Sequence, residues 1–364
     1  MWAAEVSSSV TRAVVTKLAP TSLKYVPAGL RNLDPALRRA WHPLCRSSEV
    51  TATPQSFQLL GERYVAYRSL DTAVRVFLDR CPHRFAPLSL GSCEGNALRC
   101  GYHGWLFDGA GRCVEIPALG AEATVPARAQ LSGPAEVFES HGMVFVAPLP
   151  PLTPKPCVAA DGDTSFLKGD LPIIETRGNA GLLADNFLDM AHFPFVHANT
   201  FGADQAREVP HFSVGRDGYA FSATYEHEFL NREDPGVAAG IRPLVQRRRL
   251  TYRYSAPFHL ELAIEFLDAG GSNVIGFFLT PLDDERVRIY SSLWRDDLDG
   301  SDERMRDAID FEVAVLEEDL RLQSRYESLE LPLDVTAELH TRADRSTLEL
   351  RRVLRELVDA ATAL

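Results

Sequence analysis

The stretch that decides the fold runs from Cys81 to His103 and contains two short loops of potential metal ligands. The first loop reads Cys81-Pro82-His83, and sixteen residues later the second reads Cys100-Gly101-Tyr102-His103. Each loop therefore offers one thiolate and one imidazole. Two cysteines with two histidines can hold a [2Fe–2S] cluster, with sulfur on one iron and nitrogen on the other, or a single tetrahedral zinc ion.

The distribution of these ligands between the loops favours the iron–sulfur cluster. Structural zinc modules usually pair like ligands, cysteine with cysteine and histidine with histidine. Here each loop is mixed, as two loops that clasp opposite ends of a binuclear cluster require. We therefore expect Cys81, His83, Cys100 and His103 to bind a [2Fe–2S] cluster, with a zinc site as the alternative.

Length and composition are typical of a globular protein with two domains. The chain has 364 residues, 45% of them hydrophobic and 24% charged, enough for each domain to bury its own core. The formal net charge of −12 argues against binding to nucleic acid or to an anionic membrane. No apolar run approaches the roughly 20 residues that span a bilayer. The other four cysteines are scattered, and we expect a protein of the reducing cytoplasm.

The first half of the chain has the pattern of a small β-domain. Short runs rich in β-forming residues, separated by turn residues, occupy 56–60, 64–68, 74–78, 105–114 and 142–147 and predict antiparallel strands. The two ligand loops would then lie at hairpin tips. Five prolines between 148 and 156 indicate a stiff connector. We place an N-terminal arm at 1–35, the cluster domain at 36–150 and a second domain at 151–364.

The second half predicts a large antiparallel sheet with helices, so that the chain as a whole is of the α+β class. Long strand patterns cover 218–230, 248–256, 259–267, 273–280 and 286–294. Helical patterns cover the first part of 176–196, then 301–329 and 347–364. The run Arg247-Arg248-Arg249 is interpreted as a solvated or strand-edge charge cluster, with a docking patch for an acidic electron donor as the alternative.

A second group of potential metal ligands lies between Asn186 and His197, which includes Asp189 and His192. The two histidines are five residues apart and would not share a face of an ideal helix, but Pro194 can break or bend the helix and bring them together. Two histidines and one carboxylate form the facial triad of non-haem Fe(II) oxygenases.

The carboxylate of this triad has to come from elsewhere in the chain. We expect Asp319, on the late helix, to supply it, with Glu317 and Glu318 as alternatives. The alternative for the two histidines themselves is an ordinary place in the core or on the surface.

Both motifs resemble those of the Rieske non-haem iron oxygenases, particularly the branch that includes vanillate O-demethylase and dicamba monooxygenase. The first motif is similar down to Arg84 and Pro87-Leu88-Ser89, and the second follows the pattern N-x2-D-x2-H-x4-H. The resemblance covers roughly residues 40–364. It implies an N-terminal antiparallel Rieske [2Fe–2S] domain and a helix-grip-like catalytic domain, in which His192, His197 and Asp319 bind iron.

The resemblance also implies roles for two neighbours of the iron ligands. Asp189 would hydrogen-bond His192 on one side and His103 of the next subunit on the other, in a head-to-tail homotrimer. Asn186 would donate a hydrogen bond to the iron site, with a plain buried amide as the alternative.

The implied function is that of a Rieske monooxygenase or dioxygenase. It would hydroxylate or oxidatively demethylate a small aromatic or cyclic substrate with O₂, using a [2Fe–2S] cluster and a mononuclear Fe(II). Electrons would come from NAD(P)H through a separate reductase and possibly a ferredoxin, since Gly270-Gly271-Ser272 is not placed as a dinucleotide fingerprint.

Three alternatives remain at this stage. The first is a hydroxylase of a natural-product or aromatic-degradation pathway that does not demethylate. The second is an electron carrier without catalytic iron, and the third is a zinc-dependent binding module.

The substrate pocket is expected on the sheet face in front of the iron. Strand alternation suggests Phe277, Tyr290, Ser292 and Trp294 as pocket residues. His259 would either orient a substrate oxygen or lie in solvent.

Overall fold

Short strands dominate the first half of the chain and one large sheet the second. The computed structural model describes residues 29–203 and 207–364. The strands of the first half are β1 (His42–Arg46), β2 (Gln55–Leu59), β3 (Glu62–Arg68), β4 (Val74–Leu78), β5 (Ser92–Glu94), β6 (Ala97–Arg99), β7 (Leu106–Phe107), β8 (Cys113–Glu115), β9 (Glu136–Ser140) and β10 (Met143–Ala147).

The second half adds eight strands and the helices. The strands are β11 (Leu167–Asp170), β12 (Ile174–Arg177), β13 (Val214–Asp217), β14 (Ala220–Leu230), β15 (Val245–Ser255), β16 (His259–Phe266), β17 (Ser272–Pro281) and β18 (Arg286–Arg295). The helices are α1 (Ala180–Leu188), α2 (Phe193–Val196), α3 (Pro235–Ala238), α4 (Asp302–Gln323) and α5 (Arg345–Thr362).

The strands of the first half form three small antiparallel sheets, in the orders β1-β10-β9, β2-β3-β4 and β5-β6-β7-β8. The second ligand loop joins β6 to β7 and lies at a hairpin tip, as predicted. The first loop does not lie at a hairpin tip. It follows β4, an edge strand of a different sheet, because the chain leaves that sheet after Leu78 and crosses to β5. The two loops are therefore brought together by the packing of two sheets.

The eight strands of the second half form one antiparallel sheet, as the sequence predicted. Its order is β11-β18-β17-β16-β15-β14-β13, and β12 pairs with a second part of β18. Along β16, the predicted apolar face is confirmed: Leu260, Leu262, Ile264 and Phe266 join the large core. This core also contains apolar side chains of α1, α4 and α5, so the helices cover this face of the sheet.

The opposite face of the sheet packs against the first half of the chain. At β17 and β18, Phe278, Tyr290 and Trp294 form a cluster with Trp41 and Phe145. This second layer also explains His259, which is 4% exposed. One of its ring nitrogens, Nε2, lies 2.8 Å from the carbonyl oxygen of Trp41. His259 is therefore a buried residue between the two halves, and neither of the two expectations for it was right.

The predicted N-terminal arm at 1–35 falls largely on residues 1–28, which lie outside the described residues. The part that is described packs on the second half of the chain. Leu30 pairs with Leu331 through backbone hydrogen bonds in both directions. Asn32 donates to the carbonyl of Gly178 and accepts from the N–H of Ala180. These contacts fix the start of α1, the helix that leads to the second group of ligands.

The late helix α4 ends six residues earlier than the sequence predicted. Ser301 caps its first turn by accepting from the N–H of Arg304 at 3.3 Å. After Gln323 the chain turns, because Leu331 is held in its pairing with Leu30. The last helix, α5, lies within two residues of its predicted bounds at each end. Among the described residues, the helices are too short or too polar to cross a membrane.

Candidate active site

The two ligand loops of the first half are built by the same backbone hydrogen bonds. In the first loop, Cys81 donates to the carbonyl of Ala86 at 2.8 Å and accepts from Phe85 at 2.8 Å. In the second, Cys100 donates to Trp105 at 2.9 Å and accepts from Gly104 at 3.1 Å. The fourth residue after each cysteine has a positive φ: 57° at Phe85 and 70° at Gly104. Each loop thus folds back on its own cysteine.

The four side chains of these loops separate into a buried pair and an exposed pair. Cys81 and Cys100 are each 2% exposed, and burial, together with the neighbouring Cys100 thiol, raises the pKa of Cys81 to about 11. His83 and His103 are exposed, with their Nδ1 atoms 3.1 Å apart. Sulfur donors on one side and nitrogen donors on the other match a [2Fe–2S] cluster with unlike ligands on its two irons.

Close contacts hold the two loops against each other. The ring of His83 stacks on Trp105 of the other loop, with centroids 4.6 Å apart and planes 9° apart. A Cβ at Gly101 would lie 2.5 Å from the carbonyl oxygen of Leu90. Only glycine lets the backbones approach this closely, so Gly101 allows the second loop to pack against the segment that follows the first loop.

The second group of ligands lies where α1 gives way to α2. The helix α1 ends at Leu188, and Asp189 already has extended backbone, with ψ of 132°. His192 precedes the first turn of α2, and His197 follows its last residue. The sequence predicted that Pro194 breaks or bends the helix; a break is present, but Pro194 does not make it. The break comes earlier, at 189–191, and Pro194 lies in the first turn of a new helix, a place that suits its fixed φ.

This short helix brings the two histidines together with Asp319 of α4. The Nε2 atoms of His192 and His197 are 3.1 Å apart. The Oδ1 atom of Asp319 lies 3.5 Å from the first and 3.4 Å from the second. Donors about 2.1 Å from a shared ion and at right angles to each other are roughly 3 Å apart. The three side chains therefore fit one face of an octahedral metal ion. Among the described residues, this is the one set of three such donors within 4.8 Å.

Two further carboxylates lie on the other ring nitrogens. Glu318 Oε2 is 3.0 Å from Nδ1 of His197 and also accepts from the hydroxyl of Thr200. Asp189 Oδ2 is 3.3 Å from Nδ1 of His192. A carboxylate at Nδ1 fixes the proton there and leaves Nε2 free as a ligand. Of the three acids considered from the sequence, Asp319 is one of the three grouped donors, and Glu318 contacts the other ring nitrogen of His197.

The remaining acid, Glu317, is exposed and turned away from the histidines. The role of Glu318 behind His197 was not expected from the sequence. Its position one residue before Asp319 on α4 gave no signal that distinguished a metal ligand from the partner of one.

Neighbouring groups favour the charged forms of both His197 and Asp189. Burial works against protonation of His197, but its hydrogen bonds to Asp319 and Glu318 outweigh this and raise its pKa. Burial also disfavours the charged form of Asp189. The hydrogen bonds from His192 and from the backbone of Ala191 outweigh it and lower the pKa of that carboxyl. Asp189 therefore stays an acceptor for His192.

Two other contacts position the ligands. The side-chain amide of Asn186 donates to Oδ1 of Asp319 at 3.3 Å. The preceding residue on α1, Asp185, forms an ion pair with the buried Arg351 of α5 at 2.5 Å. Together these contacts tie α1, α4 and α5 into one support for the triangle of donors.

A cavity opens beside the triangle, between the helices and the sheet. Phe277, the first of the four predicted pocket residues, lines it, together with His192, His197 and Asp319. Tyr290, Ser292 and Trp294 do not. In the observed register Phe277 lies opposite Ser291, and Phe278 opposite Tyr290. Cross-strand partners point to the same face, so the even-numbered positions of β18 face the first half of the chain and Ser291 lines the cavity.

The sequence reasoning missed a charged residue in this cavity. Arg248 is 5% exposed and lines the cavity wall, although the run 247–249 was interpreted as a solvated charge cluster. Arg247 and Arg249 are the surface members: Arg247 pairs with Asp268 of the turn after β16, and Arg249 pairs with acids of the two neighbouring strands. Alternation along β15 was the available signal, because Arg248 continues the buried series of Leu250 and Tyr252.

Family comparisons match the two halves of the chain separately. Residues 40–129 match the model of the Rieske [2Fe-2S] domain. Residues 176–360 match the model of the vanillate O-demethylase oxygenase C-terminal domain. Each match contains one of the two groups of potential metal ligands described above.

Individual relatives match over most of their length. Methylxanthine N3-demethylase NdmB of Pseudomonas putida is 30% identical over 335 residues, covering 88% of this chain and 89% of the relative. Methylxanthine N1-demethylase NdmA of the same organism is 26% identical over 346 residues, covering 89% and 90%. The structure of NdmA with caffeine superimposes with a TM-score of 0.77, covering 91% of this chain and 94% of that one.

A structure of dicamba monooxygenase superimposes equally well, with a TM-score of 0.77. It covers 90% of this chain and 99% of the other, at 21% identity. At this identity the likeness concerns the fold, and the fold extends over both halves of the chain.

Proposed function

The chain belongs to the Rieske non-haem iron oxygenases with a C-terminal domain of the vanillate O-demethylase type, and we propose that it is a monooxygenase that removes a methyl group from a small aromatic substrate. As a member of this family it uses a [2Fe–2S] cluster, a mononuclear iron, O₂ and electrons from a reductase. Reactions of this class hydroxylate or oxidatively demethylate small aromatic substrates. Demethylation is favoured here by the type of the C-terminal domain and by the two demethylase relatives.

The proposed ligands follow from the two groups of donors. Cys81 and Cys100 would hold the cluster through sulfur, and His83 and His103 through Nδ1. The mononuclear iron would be held by His192, His197 and Asp319. The observation that carries this assignment is the triangle of three donors at the wall of the cavity.

The iron supplies the activation of O₂ and the insertion of one oxygen atom into a C–H bond of a methyl group on oxygen or nitrogen. The product of insertion into an O-methyl or N-methyl group breaks down to formaldehyde and the demethylated compound. The second oxygen atom leaves as water, with two electrons and two protons. The balance is one O₂ and two electrons per methyl group removed.

The side chains of the protein prepare the site for this reaction. Glu318 and Asp189 accept from Nδ1 of the two histidines, which would leave Nε2 of both available to hold the iron. Asn186 orients the carboxylate of Asp319. Apolar residues of the sheet and of α4, among them Phe277 and Leu316, form most of the cavity wall and limit the access of water.

The proposal is tested by product analysis with the complete electron-transfer system. Methoxybenzoates and N-methylxanthines are supplied in turn, with a reductase, NADH and O₂. We expect one formaldehyde and one demethylated product per O₂ for at least one of these substrates, and none with the Asp319→Ala variant. Hydroxylated product without formaldehyde would contradict demethylation and would identify the enzyme as a hydroxylase.

We also propose that three chains form a head-to-tail ring in which electrons cross between subunits. His83 and His103 are at the surface, surrounded by the exposed apolar side chains of Phe85, Leu90 and Tyr102. Asp189 lies in a surface depression that also contains Tyr326 and the exposed Leu339. A heterologous contact between these two surfaces closes into a ring of identical subunits. It would place His103 of one subunit against Asp189 of the next.

Mixed rings test this arrangement. One tagged subunit carries Cys100→Ser and lacks the cluster, and a differently tagged subunit carries Asp319→Ala and lacks the iron. Rings purified through both tags should regain activity, because the intact cluster of one subunit lies beside the intact iron site of the other. Inactive mixed rings, when each parent variant still assembles, would contradict electron transfer between subunits.

The domain limits and the location are proposed on simpler grounds. The strands of the first half end at Ala147 and the next strand begins at Leu167, which supports a boundary within the proline-rich segment near residue 150. The cytoplasm is proposed because the cysteines outside the cluster loops are free thiols.

A further inference from the structure

The central arginine of the run 247–249 differs from its two neighbours. Arg247 bonds the carboxylate of Asp268 at 2.8 Å, and Arg249 bonds Glu265 and Glu226 on the adjacent strands. Both lie on the outer face of β15. Arg248 points to the inner face, is 5% exposed and lines the same cavity as the triangle of iron ligands.

Among the described residues, no acceptor bonds the hydrogen-bond donors of Arg248. Its Nε is fully buried without a partner, and within the described ranges its side chain has no hydrogen bond and no ion pair. Its guanidinium lies instead against aromatic rings, 4.6 Å from the centroids of Phe201 and Phe229 and 5.8 Å from that of Phe193. These contacts offset only part of the cost of removing a cation from water.

Within the described residues no acid forms an ion pair with Arg248, although the charge of Glu312 acts on it at longer range. Glu312 lines the same cavity, but it is not within ion-pair distance of Arg248. It accepts instead from the amide of Asn273 at 3.1 Å, and burial raises its pKa to about 7. Glu233 lies 3.6 Å from Arg295. The buried charge of Arg248 is therefore left open toward the cavity.

The position of Arg248 relates it to the iron site. The ring of Phe201 stacks on that of His197, with centroids 4.8 Å apart and planes 28° apart, and Arg248 lies on Phe201. One aromatic ring thus separates the guanidinium from an iron ligand. The adjoining wall is apolar and includes Leu262, Ile264 and Phe277. It suits the ring of a substrate whose polar end meets the guanidinium.

We propose that Arg248 binds a carboxylate of the substrate, and that the enzyme acts on small aromatic acids. A carboxylate accepts two parallel hydrogen bonds from a guanidinium, and it would give Arg248 a negatively charged partner. The inference rests on the proposed function for the idea that this cavity holds the substrate. It adds the chemical class of that substrate and the residue that selects it.

The test compares acids with their amides, which have nearly the same shape but no charge. Binding of benzoate, 3-methoxybenzoate and 4-methoxybenzoate, and of the three matching benzamides, is measured by calorimetry with the iron-loaded enzyme under anaerobic conditions. We expect the acids to bind at least about ten times more tightly than the amides. Arg248→Met should remove this preference and Arg248→Lys should keep part of it. Arg247→Met, which changes the neighbouring surface arginine, should leave it intact.

Equal binding of acids and amides to the wild type, or an acid preference that persists in Arg248→Met, would overturn the proposal. Melting temperatures of the same proteins without ligand separate binding from folding. Arg248→Met should melt at or above the wild-type temperature, because it replaces an unpartnered buried charge with an apolar side chain. A variant that melts well below the wild type would show that Arg248 supports the fold, and would equally overturn the proposal.

Failure of this inference and failure of the proposed function give different results. Binding is measured without a reductase and without turnover, so a preference for acids supports the role of Arg248 even if no formaldehyde is formed with any substrate. Formaldehyde from neutral substrates alone, with no preference for acids in the binding measurement, would leave demethylation standing and remove the acid site.

Discussion

At the scale of single residues, Glu318 contacts the proposed iron ligand His197 from the ring nitrogen that points away from the other donors. Its carboxylate lies 3.0 Å from Nδ1 of His197 and is held there by Thr200. It is 8% exposed. The hydrogen bond keeps the proton of His197 on Nδ1, and it increases the basicity of Nε2 toward a metal.

Glu318→Gln should therefore weaken iron binding without changing the cluster. The amide cannot carry the negative charge, and we expect a loss of about 10- to 100-fold in Fe(II) affinity. Iron titration of the protein with its mononuclear site emptied measures the effect. Glu317→Gln, at the exposed neighbouring position, is the matched control and should bind iron as the wild type does. Equal iron affinity in both variants would contradict this role of Glu318.

The same scale shows which residues the sequence could predict. The close approach of His192 and His197 could be predicted from their chemical type and spacing, whereas Asp319 was one of three candidate acids that the sequence pattern did not separate. The cavity residues could not be predicted, because their assignment requires the register between strands. Tyr290 and Trp294 were placed on the wrong face for this reason, and Arg248 was interpreted as solvated although it lies inside the cavity.

At the scale of elements, two glycines fix the segments that carry the metal ligands. A Cβ at Gly101 would lie 2.5 Å from the carbonyl oxygen of Leu90, and one at Gly202 would lie 2.5 Å from that of Phe193 and 2.8 Å from that of His197. All three obstacles are backbone atoms, which cannot rotate away. The first glycine belongs to a cluster loop and the second to the turn after α2.

Alanine at each position should therefore disturb one metal centre and spare the other. Gly101→Ala should reduce the visible absorbance of the cluster while mononuclear iron stays bound. Gly202→Ala should reduce mononuclear iron while the cluster absorbance stays. Overpacking of this kind costs about 1–3 kcal/mol in stability, so both variants should still fold. Loss of both centres in either variant would show that the two segments are not independent.

The connection between β14 and β15 contains a buried carboxylate that predicts a dependence of stability on pH. The side chain of Asp234 is 1% exposed. It accepts from Arg242 at 2.5 Å and 2.6 Å, from Gln246 at 2.7 Å and from the N–H of Gly236 at 2.8 Å. The hydrogen bonds from Arg242 are the main cause that lowers the pKa of Asp234 well below its usual range.

A carboxyl whose pKa is lower in the folded state than in the unfolded state stabilises the protein above the unfolded pKa, about 3.9. This stabilisation is lost as the pH falls from there through the folded pKa. Asp234→Asn should accordingly lower the free energy of unfolding by about 1.5–3 kcal/mol at pH 6–8, and the difference from the wild type should shrink below pH 4. Denaturant unfolding across this pH range measures it. Asp217→Asn, at an exposed position of β13, should show no such difference, and a gap that widens at low pH would contradict the account.

The sequence predicted which segments form strands and helices better than it predicted where they end and which elements they contact. The strands of the large sheet followed from alternation, and α5 from its helical spacing. The end of α4 depended on the pairing of Leu331 with Leu30, 301 residues away. A contact at this separation cannot be predicted from a local sequence pattern. The hairpin expected at the first cluster loop was wrong for a similar reason, since β4 and β5 belong to different sheets.

At the scale of the whole molecule, the large sheet separates two environments. One face and its helices enclose the cavity and the triangle of donors, and the other face packs against the first half of the chain. The imidazole pair of the cluster loops remains at the surface. Within the described part of the chain, no hydrogen bond joins His103 to Asp189. The exposure of this imidazole pair is the reason for proposing that electrons cross from one subunit to the next.

The two metal centres can be counted together from the content of iron and acid-labile sulfide per chain, determined on protein purified without oxygen and supplied with Fe(II). The account predicts about three irons and two sulfides per chain. In Asp319→Ala it predicts about two irons and two sulfides, because the cluster remains while the mononuclear iron is lost. Zinc in place of iron and no sulfide would contradict the account as a whole.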